Sequence, residues 1–464
     1  MIAWSGLIGN LPMSRKTRLF LMTVFIVGFL VSVPLVLFYT AGYRYDIKKH
    51  QVEKTGILVT DSSPTGAHIV LNDVPQKVAT PTSFTRILPE DYRIRFEKQG
   101  YFSWEKTVEV RSSETTFVTD ALLLSNSLPR LVLDGKTSMA VFSPDGRHEA
   151  LIHEDNAWKE LSVLDAGKSA PVLLARYSST MYTDATLQWS PDNTHLLLSA
   201  HGKDGKPVLL LYSASDTTQT PRALQSSFPG AHLDAAWSND GSQIVVNAVG
   251  GVFLMNTVDG KVIATGVGGN IQDAALRDNT LFVLRPSKNG TALERHTPGD
   301  LSAVKPLTIF PAGRYHFLDA AGPYLLILDA AKQKLFVVSP NDGTLVDTLP
   351  ATHAAWLAKS KTPRLLAWND FEITAVDILA GTHVLVARLG TPITGCTWHP
   401  SGLAVFYATT NSIIATDLDD RDTRNVVTLV KFTELGGFAL DATDGVLRFV
   451  GAVGNARGLY EKEY

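Results

Sequence analysis

The sequence holds one cysteine, Cys396, in 464 residues, so no disulfide forms within the chain and cysteine pairing does not place it in any compartment. Between Gly395 and Thr397-Trp398, this thiol reads as a small buried side chain. Charge is scarce as well: 19% of residues are charged, and 42 Lys and Arg against 45 Asp and Glu leave a net charge of -3. That balance carries no electrostatic footprint for nucleic acid, and no nucleic-acid partner is expected. Signatures of catalysis are missing too. There is no G-x-S-x-G elbow, no glycine-rich phosphate loop ending in Lys-Ser/Thr, no H-E-x-x-H helix and no paired-cysteine ligand set. The group His148, His153, Glu154 and Asp155 lacks a closed ligand spacing and reads as solvated strand ends. No catalytic residue, metal or cofactor is therefore expected.

Long apolar runs are absent apart from one. Leu19 to Ala41 is 23 residues without a charge, about 35 Å long as a helix and enough to span a bilayer. A secretory signal has a shorter apolar region and a small-x-small cleavage site, which LFYTAGYRY does not supply. The run is expected to be an uncleaved anchor in the lipid bilayer, following a cytoplasmic tail at 1–18 whose true start is Met1 or Met13. Arg15, Lys16 and Arg18 before it are matched by Arg44, Lys48 and Lys49 after it. Orientation is then decided by the crowding of charge at the helix start and by the size of the trailing domain, which is translocated largely regardless of its charge. Residues 42 onward are expected outside the cytoplasm, beginning with a juxtamembrane linker at 42–54.

From Thr55 to Leu124 the apolar period becomes two: Ile57 and Val59, then Ala67, Ile69 and Leu71, then Tyr92, Ile94 and Phe96, then Thr107 to Val110. Alternation predicts half-buried strands. Ser63-Pro64-Thr65-Gly66 suits a tight turn, and Gln99-Gly100 suits a hairpin between YRIRFEK and YFSWEKTVEV. A small β-sandwich at 55–124 is expected.

Residues in this stretch resemble the PEGA domain family. SPTGAHIVLND supplies Pro64, Thr65, Gly66 and Ala67 at the name motif, with threonine in place of glutamate. Thr80-Pro81, Leu88-Pro89, Tyr92 and Gly100-Tyr101 follow in the family's order, and Glu90 stands where glycine is usual. The resemblance implies a non-enzymatic, extracytoplasmic module that binds envelope polymers or proteins.

The remainder, 128–464, is repetitive. SPDGRHEALIHE, SPDNTHLLLSA, SNDGSQIVVNAV and HPSGLAVFYATT are near-copies, and the aromatic or small residue before each turn falls at Phe142, Trp189, Trp237, Ala275, Phe317, Trp356, Trp398 and Ala439. Steps of 47, 48, 38, 42, 39, 42 and 41 residues, with about four strands per unit, are the signature of a β-propeller. Eight repeats carry seven outer strands of their own, and LPRLVLD at 128–134 supplies the eighth from the other end of the repeats. Eight blades are expected, with seven as the alternative because repeats four and eight are degenerate. The Trp-Ser-Pro-Asp-Gly turns resemble those of TolB-like and WD-repeat propellers.

Asp145, Asp192 and Asp240 are expected to serve turn geometry, bonding their own backbone beside a residue of positive φ. Trp189, Trp237, Trp356 and Trp398, at one repeat position, are expected to fill the space between blades. The whole chain then reads as a membrane-anchored scaffold for an envelope protein partner. The alternatives are a binder of cell-wall or cell-surface polysaccharide, with Tyr101, Phe102 and Trp104 as candidate contacts, and a propeller hydrolase or lyase with acids and histidines converging on the axis.

Overall fold

The computed structural model describes residues 14–464, except 48, 156, 169, 217–218, 229–233, 298–299 and 319–321. The chain divides into two compact units, Met1–Leu123 with Asp420–Thr423, and Leu124–Asp419 with Arg424–Tyr464.

In the first unit the apolar run forms helix α1, Arg15–Thr40. Ser14 caps it by accepting the Thr17 N–H at 3.2 Å, and Pro34 lies inside. None of its residues is buried; Leu19 is 69% and Phe25 75% exposed. The segment read as a linker at 42–54 folds as a hairpin of β1, Tyr43–Asp46, and β2, Gln51–Lys54. It is held at its base by Thr55, whose N–H donates to the Gly42 carbonyl at 2.9 Å. The Arg44 guanidinium lies 3.7 Å over the Tyr39 ring and donates to the Tyr43 carbonyl.

Seven further strands follow: β3 Gly56–Ser63, β4 His68–Leu71, β5 Val74–Ala79, β6 Thr82–Ile87, β7 Asp91–Glu97, β8 Trp104–Glu109 and β9 Thr115–Leu122. They form two sheets, ordered β6-β3-β9 and β5-β4-β7-β8, in which β3 and β9 run parallel and every other pair is antiparallel. Their inner faces share one core around Leu58, Ile69, Ile94, Phe96, Trp104 and Val118. The alternation in β3 has the opposite phase to the pairing of Ile57 with Val59 as its apolar face: Leu58 and Thr60 are fully buried, while Ile57 is exposed. Lys106, also buried, donates through Nζ to the Thr423 carbonyl at 2.8 Å.

In the second unit the strands are short and sequential, as the repeats require. Its described residues form eight four-stranded antiparallel sheets. Seven are consecutive, spanning 137–178, 182–223, 234–264, 273–310, 315–349, 353–388 and 395–431. The eighth joins Glu434–Asp441, Val446–Val453 and Ala456–Glu463 to β10, Arg130–Asp134, from the start of the unit. β10 pairs antiparallel with Ala456–Glu463, placing Arg130 opposite Glu461 and Asp134 opposite Gly458. The outer strand lent by LPRLVLD is the one seen, and the outer strand of the second sheet is reduced to Arg222–Ala223.

Apolar side chains pack between consecutive sheets rather than within one layer. Leu196 and Leu198 of the second sheet meet Ala150 and Ile152 of the first, and the pattern repeats through Leu366 of the sixth and Val405 of the seventh. Val450 and Leu459 of the eighth sheet meet Leu151 and Leu164 of the first. The ring is thereby closed, and the unit is a β-propeller whose sheets keep only short edges.

A buried ionic cluster sits at the closure. Arg448 is 2% exposed. Its Nη1 donates to the Gly146 carbonyl at 2.8 Å and to Asp441 Oδ2 at 3.3 Å, its Nε donates to Glu461 Oε1 at 3.1 Å, and Glu149 Oε1 lies 3.3 Å from Nε. Asp441 also lies 3.9 Å from Arg147 and Glu461 2.6 Å from Arg130, which leaves Glu149 to share Arg448 with both. Burial, followed by repulsion from Glu461, Asp165 and Asp441, pushes Glu149 up to about 8 although Arg448 acts the other way. The folded chain then keeps a proton on Glu149 that the unfolded chain releases above its ordinary value of 4.5. Stability from this group is complete below that value and is lost as pH rises toward 8, with a slope of at most about 1.4 kcal/mol per pH unit. Melting temperatures recorded from pH 5 to 8 should fall less steeply for Glu149→Gln than for the natural chain. Equal slopes would remove this assignment.

Candidate functional site

The blade turns are built alike. In the first sheet Asp145 Oδ1 accepts from the Ser143 hydroxyl at 2.5 Å and from the Arg147 N–H at 3.0 Å. Asp192 does the same with Ser190 and Thr194, and Asp240 with Ser238 and Ser242. Each serine hydroxyl in turn accepts the N–H that opens the next strand, from His148, His195 and Gln243. These bonds hold the carboxyls of Asp192 and Asp240 below the usual carboxylate range despite partial burial. The three aspartates are thus engaged by their own turns.

The repeat tryptophans lie between sheets. Trp189 donates through Nε1 to the Val141 carbonyl at 2.9 Å, and Trp398 to the Ala355 carbonyl at 3.0 Å. Each indole therefore ties its inner strand to that of the preceding sheet. Trp237 is buried and Trp356 half-buried, and neither Nε1 has a hydrogen-bond partner among the described residues. Trp356 instead stacks on Tyr324, with ring centroids 6.2 Å apart.

Within the aromatic cluster YFSW, Trp104 departs from its reading as a contact residue. Trp104 is 2% exposed and stacked on Phe96, its cross-strand partner, at 5.3 Å between centroids. It is a core residue: Phe96 faces inward, and the register of β7 with β8 turns the indole inward beside it. Tyr101 packs against the same core, and Phe102 is half-buried. In the turn motif Gly66 takes φ +81° and Ala67 is fully buried, with its N–H donating to Thr80 Oγ1 at 3.0 Å. Pro64 offers its carbonyl to the Ser62 hydroxyl at 2.9 Å, and Thr65 offers its own to Lys98 Nζ. Pro64 to Ala67 therefore shape the domain.

The propeller also carries a cavity of about 380 Å³, lined by inner strands and turns of the first five sheets. Pro144, Pro191, Trp237 and Asn239 contribute, with Asp273, Arg277 and Phe317. Its ionisable groups hold structure. Asp273 Oδ2 accepts the Phe317 N–H at 2.7 Å and Arg277 donates to the Tyr324 carbonyl at 2.5 Å. Burial lowers the Arg277 pKa. Elsewhere His148 pairs with Asp165 at 2.9 Å, and His399, buried against Phe406 and Tyr464, is lowered to about 4 by burial. Cys396 is buried, which pushes its thiol up. Among the described residues no group of three or more His, Cys, Asp and Glu could hold a metal ion.

Two sheets of short strands, the turn at Pro64 to Ala67, and Tyr92 buried with its hydroxyl on the Leu88 carbonyl at 3.1 Å together define the small domain. Residues 55–125 match the PEGA domain. The PEGA domain accounts for the family resemblance of SPTGAHIVLND and of the Leu88-Pro89 to Tyr101 stretch. No curated protein matches the chain. Among solved structures it is similar to the eukaryotic initiation factor, with 15% identity over 73% of this chain and 92% of that one and a TM-score of 0.48. It is similar also to the Dos1 propeller, at 13% identity over 72% of this chain and 94% of that one, with a TM-score of 0.46. A third is dihydro-heme d1 dehydrogenase NirN in complex with DHE, at 14% identity over 73% and 76%, with a TM-score of 0.46.

Proposed function

We propose that the chain is a single-pass membrane protein whose PEGA domain and propeller lie outside the cytoplasm and act by binding an envelope protein, without catalysis. The observation that carries this reading is α1. It presents Leu19, Phe20, Phe25 and Phe29 to the surroundings with no protein cover, and an apolar helix of that length is stable in hydrocarbon and costly in water. Tyr39, Tyr43 and Tyr45 follow at the depth of the lipid headgroups, as aromatic belts do. Binding without chemistry is supported by the 380 Å³ cavity, where Asp273 and Arg277 are engaged by backbone groups instead of converging on a free nucleophile or base.

The full chain, expressed in its source cell, should stay in the membrane pellet after an alkaline carbonate wash. Protease added to intact cells should release peptides from 55–464. A chain found intact in the carbonate supernatant, or propeller peptides protected until lysis, would overturn the anchored, outward-facing reading. Cross-linking on intact cells followed by detergent extraction should then recover one protein in fixed ratio to the chain. Recovery of the chain alone would remove the scaffold role.

A further inference from the structure

The turn between the first and second strands of the sixth sheet departs from its counterparts in length and in charge. Six residues carry the chain from the marker aromatic to the second strand at Phe142 to His148, Trp189 to His195, Trp237 to Gln243 and Trp398 to Ala404; from Trp356 to Arg364 there are eight. Three places after the marker the first three sheets carry Asp145, Asp192 and Asp240, the seventh carries Ser401, and the sixth carries Lys359. An acidic residue that bonds its own turn is replaced by a cation, and the longer turn adds a second one, Lys361. Lys359 takes φ +58°, whereas in those four other turns glycine or Asn193 supplies positive φ one residue later. The lysine turn therefore follows its own backbone course.

This turn borders a cavity of about 600 Å³ in the propeller, lined by Lys359, Ser360, Lys361, Thr362, Arg364 and Ser401. Asp377 is the carboxylate on the wall, and it is already engaged. Its Oδ1 accepts the Leu379 and Ala380 N–H groups at 3.1 and 3.0 Å, and its Oδ2 accepts the Thr362 hydroxyl at 3.0 Å. The Arg364 guanidinium is fixed, with Nη1 donating to the Gly402 carbonyl at 3.1 Å and its carbon 5.0 Å over the Trp398 ring. Lys359 and Lys361 are exposed and have no ion-pair partner among the described residues. Three cations face one carboxylate in a chain whose net charge is -3, so the local excess is a feature of this recess and not of the protein at large.

We propose that this recess binds a small phosphorylated ligand, a phosphate ester with the bulk of a sugar. Two exposed ammonium groups, a guanidinium pre-positioned by stacking and the Ser360 hydroxyl match a dianion with several acceptor oxygens better than a single carboxylate; the Ser401 hydroxyl is already bonded to His399 Nδ1 at 2.7 Å. The cavity exceeds what inorganic phosphate fills and leaves room for the esterified group against Leu357, Val384 and Leu418. The site goes beyond the scaffold reading and does not depend on it.

The test is calorimetric titration of the full chain in neutral detergent with glucose 1-phosphate, glucose and inorganic pyrophosphate. Glucose 1-phosphate is expected to bind, glucose is not, and affinity should fall as salt is raised. Lys359→Glu with Lys361→Glu should weaken binding at least about tenfold, since two attractive charges become repulsive. Both side chains are exposed, so the melting temperature should be unchanged. If the double variant does not fold, Lys361→Gln alone should still weaken binding by roughly threefold. Pyrophosphate binding without glucose 1-phosphate binding would overturn the sugar-sized ligand. Unaltered affinity in the variants, or no heat from either phosphorylated probe at about 10 mM, would overturn the site itself.

Discussion

Arg448→Ala should lower the unfolding free energy of the propeller by about 3–5 kcal/mol, the scale seen when one partner of a buried ion pair is removed. The loss follows from what the guanidinium leaves behind: among the described cations Asp441, fully buried, would keep only Arg147 at 3.9 Å, Glu461 would keep only the exposed Arg130, and the Gly146 carbonyl would lose its donor. Urea unfolding followed by circular dichroism gives the size of the effect. Hydrogen exchange gives its place, which should be Glu434–Asp441, Val446–Val453, Ala456–Glu463 and β10. Adding Asp441→Asn to Arg448→Ala should restore part of the loss, because the stranded Asp441 charge outweighs the missing bonds. A loss below about 1 kcal/mol would show that water reaches the cluster and screens it.

Trp104→Ala should cost the PEGA domain about 3–5 kcal/mol, the usual range for deleting a buried tryptophan. A domain of some seventy residues has little stability beyond that amount. The expected result is loss of protected amides across 55–124 in hydrogen exchange, with protection in the seven consecutive sheets of the propeller unchanged. Native protection across 55–124 in this variant would place the indole outside the core. The experiment also separates two meanings of a lost binding activity, because a Trp104 variant that fails to bind a polymer does so after its domain has unfolded.

Much of this architecture was legible in the sequence, and the exceptions share a cause. The propeller was visible because four-strand repeats are local, and counting outer strands led to LPRLVLD as the missing one. The turn aspartates were visible because each bonds residues within two positions of itself. Long-range pairing hides the rest. The phase of β3 depends on its flanking strands β6 and β9, so Ile57 and Leu58 were equivalent in the sequence and opposite in the fold. Trp104 looked like a free aromatic until Phe96 was placed across from it. Arg448 gave no signal, since Glu149 and the Gly146 carbonyl stand some three hundred positions before it. The basic turn at Lys359 was readable in principle, but only by aligning turns by charge as well as by their aromatic marker.

The closure by β10 also bears on how the protein is made. Arg130 meets Glu461 across 331 positions of sequence, and at ordinary elongation rates the ribosome needs on the order of half a minute to cover that distance. Throughout that interval β10 is a strand without a neighbour, while successive sheets fold behind it. A nascent chain is therefore most exposed to pairing with other chains at its first propeller strand, and the arrival of Ala456–Glu463 ends that exposure.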